Sequence, residues 1–156
     1  MTRSKTLFSI IALVLLFAAC GGEEFVYQES IVLDGELWES RQQLPFRFSI
    51  ADTTAAYEIG FDIRYTHNYP NQNLYVFMHT TFPNGMRTCD TVPIDLFHPD
   101  GTPKGKGKRI KELNEPIARI LLPMQGQYSI RLEQAMRTEK LEGVSSIGLY
   151  VRKSSE

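Results

Sequence analysis

An all-β fold, an antiparallel β-sandwich of about eight short strands, is what this 156-residue sequence predicts, and three observations carry it. Apolar and polar residues alternate with period two in several separate stretches, the pattern of strands with one face on a core and one in water. Turn residues recur every 8–15 positions from Phe25 to the end of the chain. No stretch beyond the first twenty residues carries a helical period of useful length. A single open sheet would leave one apolar face wet, so two packed sheets are the natural closure. Long connections over 66–73 and 97–109 suit a jelly-roll or Ig-like Greek-key path better than a plain meander.

The first element is not part of that fold. Arg3 and Lys5 form a positive head, Leu7 to Ala19 is apolar apart from Ser9, and the run ends in Ala18-Ala19-Cys20. This is the build of a secretory signal cut after a small residue. Its thirteen apolar-region residues reach only about 20 Å as a helix, short of the ~30 Å hydrocarbon core, which disfavours a permanent span. Leu16-Phe17-Ala18-Ala19-Cys20 resembles a bacterial lipobox, with the leucine one position further from the cysteine than usual. Cys20 is therefore the expected lipidation site. Acyl chains at ~0.8 kcal/mol per buried CH2 hold a protein stably once two or more are attached. The predicted organisation is a signal peptide 1–19, a lipidated tether 20–24 and a sandwich domain 25–156. That places the protein in the cell envelope, anchored to a membrane, on the periplasmic side or at the cell surface.

Removing residues 1–19 leaves 137 residues, the size of one domain. Two of the 17 basic residues leave with the signal and no acidic one does, so 15 basic face 18 acidic residues, a net charge of −3. Nucleic acid is excluded as a partner, because that footprint needs a basic surplus. With Cys20 acylated, Cys89 is the one thiol left and no intrachain disulfide can form. In its strand context Cys89 is expected to be a small buried hydrophobe.

Beyond the tether, Phe25-Val26-Tyr27 and Ile31-Val32-Leu33 read as two short β pieces stopped by Asp34-Gly35, and Trp38 falls in the connection that follows. Leu44, Phe46, Phe48 and Ile50 alternate. Tyr57, Ile59, Phe61, Ile63 and Tyr65 alternate with Glu58, Gly60, Asp62 and Arg64, the clearest strand in the chain, which puts Phe61 in the core and Asp62 in water. Leu74 to Phe82 is apolar on both parities and belongs in the middle of a sheet. Pro83-Asn84-Gly85 closes a hairpin, and Pro93 in the returning strand marks an edge or a bulge. His98 to Lys108 is a turn region. Extended chain follows around Pro116, then a turn at 123–126. Tyr128, Ile130 and Leu132 face inward, and by the same period so do Gln134 and Met136, with Glu133, Ala135 and Arg137 outward. The final strand turns Ile147, Leu149 and Val151 inward.

Few of these residues suggest chemistry. Gly101-Thr102-Pro103-Lys104-Gly105-Lys106-Gly107 has three residues where a phosphate loop has four, ends in Gly rather than Ser or Thr, and precedes no helix, so it reads as a solvated basic turn. His67, His79 and His98 lie on different elements. Asp95, His98 and Asp100 could in principle ligate a metal, but a surface turn explains them more simply. No G-x-S-x-G or other catalytic set is recognisable, no cofactor is implied, and the chain is expected not to be an enzyme. Trp38, Tyr65, Tyr69 and Tyr75 could line a glycan-binding face, although strand aromatics mostly fill cores. The loop after Leu132–Gln134 gathers Arg137, Glu139 and Lys140, charges that a hairpin does not require. These are the candidate partner-docking residues, with Gln134 as structural support.

Leu132-Glu133-Gln134-Ala135-Met136-Arg137, then Leu141-x-Gly143-Val144 and Ser146-Ile147-Gly148-Leu149, resemble the C-terminal signature of the GldH family of gliding motility lipoproteins. Asn68-Tyr69-Pro70, Asn73-Leu74-Tyr75, Phe82-Pro83-Asn84-Gly85, Asp90-Thr91 and Gly105-Lys106-Gly107 match in order and spacing, so the resemblance spans almost all of the chain after Cys20. It implies a non-enzymatic envelope component of the gliding motility and associated secretion machinery, with other envelope proteins of that machinery as partners. The family supplies no catalytic or ligand residues to carry over. The competing reading is a glycan- or nutrient-binding surface lipoprotein on the same scaffold.

Overall fold

The computed structural model describes residues 25–154, so the expected signal peptide 1–19, the expected lipidation site Cys20 and the expected tether 20–24 lie outside the described residues. The described chain forms ten strands: β1 (Phe25–Val32), β2 (Leu37–Glu39), β3 (Leu44–Ile50), β4 (Ala56–Thr66), β5 (Asn73–Thr81), β6 (Arg87–Asp95), β7 (Ile110–Leu121), β8 (Gly126–Gln134), β9 (Lys140–Glu142) and β10 (Val144–Lys153). A short 3-10 turn, Asp34–Glu36, follows β1.

Eight of the strands make two four-stranded sheets, ordered β1-β10-β4-β7 and β3-β8-β5-β6. Every neighbouring pair is antiparallel. The chain changes sheet at each connection between these eight strands except the β5–β6 hairpin. That is a jelly-roll path, so of the two routes the sequence allowed this is the one taken. The two extra strands explain why the count is ten and not eight. β2 lies in the crossover from β1 to β3 and β9 in the crossover from β8 to β10, and the two pair with each other. Three-residue strands carry no readable period, and their partner lies about a hundred residues away in sequence.

The alternating stretches bury the faces they predict. β3 is buried at Leu44, Phe46, Phe48 and Ile50 and exposed between them. Its inner side chains meet those of β8 in register, Leu44 opposite Leu132, Phe46 opposite Ile130 and Phe48 opposite Tyr128. The rings of the last pair stack with centroids 5.6 Å apart. Phe61 is fully buried at the centre of β4. One continuous core runs between the sheets. β5 is interior in its sheet and β6, with Pro93, is an edge strand, where a residue without an N–H costs no ladder bond on its open side. β7 runs unbroken through Pro116 because the register with β4 shifts there.

Three details differ from the sequence reading. The two pieces expected before Asp34 are one strand, β1, whose register shifts between Phe25 and Tyr27. Trp38 is not in an open connection: it is fully buried in β2, with its indole N–H donating to the Gln42 carbonyl at 3.1 Å. Cys89 is exposed rather than buried. In β6 the inward parity falls on Val92 and Ile94, so the odd positions, Cys89 included, face outward on an edge strand.

Antiparallel pairing sorts the connections to two ends. One end, the strand-start end, holds Phe25, the 51–55 loop, the 82–86 and 122–125 turns and Lys153; Phe25 pairs with Arg152, Lys153 with Tyr57 and Ala56 with Leu121. The opposite end, the loop end, holds the 67–72 and 96–109 loops and the segment from Ala135 to Gly143.

Candidate functional site

The loop end contains the residues that the sequence singles out for docking. Gln134 closes β8 on the core side and is almost fully buried. A polar side chain there must find partners or lose roughly 1–3 kcal/mol. It finds two: its amide N–H donates to the Thr138 carbonyl at 2.9 Å, and its amide oxygen accepts from the Met136 N–H at 2.8 Å. Both bonds run to the turn that carries Arg137, which they fold back on Gln134. The Ala135 N–H donates to the Tyr75 carbonyl at 2.8 Å and so extends the β8–β5 ladder by one bond. The Tyr75 N–H in turn lies 3.3 Å from the Met136 sulfur.

The result is an open depression of about 550 Å3 lined by Asn71, Tyr75, Ala135, Met136, Arg137 and Thr138. Arg137 is exposed at its wall. Tyr75 is 39% exposed and offers an aromatic surface beside it. Such a pairing of an aromatic surface with an arginine, on a loop held by a rigid sheet, matches the composition favoured where proteins anchor partners. A second depression of about 260 Å3 lies on the other side of Asn71, against Tyr69, Gln72, Phe97, Pro99 and Gly101.

The three docking candidates are all exposed, but only one of them lines the depression. Arg137 lines the depression, whereas Glu139 and Lys140 belong to the β2–β9 staple. The Glu139 carbonyl accepts from the Ser40 N–H at 2.7 Å, and Lys140 sits opposite Glu39 in the ladder. Tyr75 and Asn71 complete the depression from β5 and the preceding loop. From the sequence alone Tyr75 is a candidate only for a glycan-binding face. The other three of those aromatics are buried: Trp38, Tyr65 and Tyr69. The Tyr65 hydroxyl donates to the Leu96 carbonyl at 2.6 Å and accepts from the Gly105 N–H at 3.0 Å, and burial pushes its pKa up. The Tyr69 hydroxyl donates to the Asn73 carbonyl at 2.7 Å, and burial pushes its pKa up as well. A row of exposed rings for stacking sugars is therefore not formed by these residues.

The 101–107 turn is held against the sandwich at Leu96, Tyr65 and Asp95. The Lys104 N–H donates to the Leu96 carbonyl and its ammonium lies 3.3 Å from Asp95. Asp100 turns back on its own loop, accepting from the Thr102 hydroxyl and N–H at 2.6 and 2.9 Å, which holds its carboxyl below the usual range. Asp95 is thus engaged by Lys104, and Asp100 chiefly by Thr102 with His98 nearby. Among the described residues no three His, Cys, Asp or Glu side chains converge as metal ligands.

A family model described as GldH lipoprotein matches residues 25–151, the whole sandwich but for the last two residues of β10. The gliding motility lipoprotein GldH of Flavobacterium johnsoniae is 26% identical over 149 residues, covering 91% of this chain and 92% of the relative. The gliding motility lipoprotein GldH homolog of Christiangramia forsetii is 26% identical over 163 residues, with 99% of each chain covered. Among solved structures, the family GH115 4-O-methyl-alpha-glucuronidase BtGH115A superposes with a TM-score of 0.46 at 14% identity, over 86% of this chain and 18% of that one. The infectious bursal disease virus Gx strain structure gives 0.41 at 12% identity, over 86% and 34%. Neither likeness bears on function.

Proposed function

This chain belongs to the GldH lipoprotein family, and from that premise we propose that it is a lipid-anchored, non-enzymatic component of the gliding motility and associated secretion machinery of a bacterial envelope. The observation that carries the reading is the family match over residues 25–151, together with the Ala-Ala-Cys end of the N-terminal signal. In this reading residues 1–19 are removed, Cys20 is acylated, residues 20–24 are a short tether and residues 25–156 are the working domain. Acylation carries the protein to a membrane, and the domain contributes by binding other envelope proteins.

Arg137 is the proposed contact residue, with Tyr75 and Asn71 beside it and Gln134 holding the turn in place. Its long guanidinium side chain can pair with a partner carboxylate in two parallel hydrogen bonds. Glu139 and Lys140 shape the adjoining staple and are not proposed as contacts.

Two substitutions test the reading in cells. Cys20→Ser should abolish incorporation of a palmitate analogue, and equal labelling of wild type and variant would remove the lipid anchor. Arg137→Ala should leave the protein level unchanged and impair whatever gliding or secretion phenotype deletion of the gene produces. Wild-type spreading and secretion in that variant would sink the docking role.

A further inference from the structure

Five of the eight large apolar side chains exposed among the described residues gather at the strand-start end: Leu121 (62% exposed), Met86 (50%), Phe25, Ile120 and Val26. The register places them at one end, on the two edge strands of the first sheet and the hairpin of the second. Leu121 pairs with Ala56 and Ile120 with Tyr57 at the end of β7, and Phe25 pairs with Arg152 at the start of β1. In the second sheet, the 82–86 turn reaches the same end, where Pro83 lies beside Gly126 at the start of β8. Polar residues normally fill hairpin ends, so large apolar ones spread across one such end call for a covering surface.

The chain itself indicates what covers them. Phe25 is the first residue of the domain and stands five residues after Cys20. Five residues extend to at most about 18 Å. The eleven residues of β4 make the domain roughly 35 Å long. A chain acylated at Cys20 therefore keeps the Phe25 end close to the bilayer, while the loop end can stand clear. The charges at the Phe25 end suit a lipid surface too. Two of its carboxylates are paired, Asp52 with Lys153 at 3.4 Å and Glu58 with Arg152 at 2.7 Å, and Arg87 and Arg119 are exposed. Apolar side chains flanked by arginines are the composition that settles at the headgroup boundary.

We propose that the strand-start end of the sandwich is a membrane-contacting face, with Leu121, Ile120 and Met86 in the interfacial layer of the bilayer that holds acylated Cys20, and with the Arg137 depression directed away from that bilayer. The proposal rests on the lipid-anchor reading above, and the test separates the two. The acylated full chain carrying Cys89→Ser and either Leu121→Cys or Arg137→Cys is labelled with a polarity-sensitive fluorophore. It is then reconstituted into vesicles of phosphatidylethanolamine and phosphatidylglycerol containing a headgroup-nitroxide lipid. All three substitutions are at exposed positions and should leave the fold intact. The label at 121 should lose roughly half or more of its fluorescence, as expected for a group within 5–10 Å of the headgroup boundary, and the label at 137 should lose none. The mass of the peptide containing residue 20 is read from the same samples. An unacylated residue 20 overturns the anchor reading and the proposal with it. Acylated protein in which residue 121 is quenched no more than residue 137 overturns the membrane face alone. So does a label at 121 shielded from water but not quenched, which would mean that a protein, including a second copy of this chain, covers that end.

Discussion

The ring of Tyr150 lies across Gly60, its neighbour in the β10–β4 ladder, so closely that a Cβ on Gly60 would come within 2.2 Å of the ring carbon bearing the hydroxyl. The glycine is there to admit the ring, because its own backbone has no need of a left-handed conformation. Once seated, the Tyr150 hydroxyl donates to a Glu58 carboxylate oxygen at 3.0 Å, and Arg152 donates to that same oxygen at 2.7 Å. Phe25 meets the ring edge-on at 5.9 Å. Burial, reinforced by Glu58, pushes the Tyr150 pKa up. The outer face of the β1-β10-β4-β7 sheet thus has a small covered cluster of its own, on the side away from the main core.

Gly60→Ala should therefore destabilise the protein by about 1–3 kcal/mol, the usual cost of forcing a methyl group into a filled site. The urea midpoint should fall with little change in slope. A midpoint equal to wild type would mean that the Tyr150 ring can swing away at no cost.

Phe61 and Asp62 test the register of β4. Phe61 is fully buried, and Phe61→Ala should cost about 3–5 kcal/mol. Asp62 faces outward and accepts hydrogen bonds from Gln28 and Asn114 at 3.0 and 2.6 Å. Asp62→Ala should cost about 1 kcal/mol, the worth of ordinary hydrogen bonds. A larger loss at 62 than at 61 would indicate a one-residue slip, which exchanges the two faces of a strand.

Gln134→Leu should cost about 1–3 kcal/mol by leaving the Met136 N–H and the Thr138 carbonyl without their partner. Amide exchange at Met136 should speed up in step. Arg137→Ala, on the exposed side of the same turn, should stay within about 0.5 kcal/mol of wild type. Unchanged exchange in the Gln134 variant would show that the turn holds itself.

Asp52 supplies a pH dependence. Hydrogen bonds from the Thr54 hydroxyl and N–H, at 2.7 and 3.0 Å, together with the Lys153 ammonium, hold its carboxyl at about 2 instead of 3.8. The folded-state value is the lower one, so the stabilisation is complete above the unfolded value and fades as the pH falls towards 2. Asp100 is shifted in the same direction. Asp52→Asn should lose less stability than wild type between pH 3.8 and about 2. Parallel acid curves for the two proteins would refute the assignment to Asp52.

Much of this was legible residue by residue. Strict alternation in β3 and β4 identified the inner faces, because a pleated strand presents alternate side chains to opposite sides whatever its neighbours are. Leu74 to Phe82, apolar on both parities, marked an interior strand, and Pro93 marked an edge. Gln134 was readable as a buried polar residue in need of partners, and those partners proved to be in the very next turn. Period and composition were silent on β2 and β9, whose pairing depends on two crossovers meeting, and so Trp38 was misplaced. Cys89 is exposed because the parity set by Val92 and Ile94 outweighs the usual preference of a lone cysteine for the interior.

By itself, then, the sequence determined the local properties: an apolar N-terminal run followed by Ala18-Ala19-Cys20, strands with assigned faces, and a charged loop around Arg137. These follow from short-range geometry and from the chemistry of single side chains. The tertiary structure alone decided which strands lie side by side, and therefore that Tyr75 and Asn71 join Arg137, that Glu139 and Lys140 do not, and that Leu121, Met86 and Phe25 share one end. Strand order depends on how two sheets bury their faces against each other, a long-range choice that period-two patterning leaves open, since the same inner and outer faces are compatible with several paths through a sandwich.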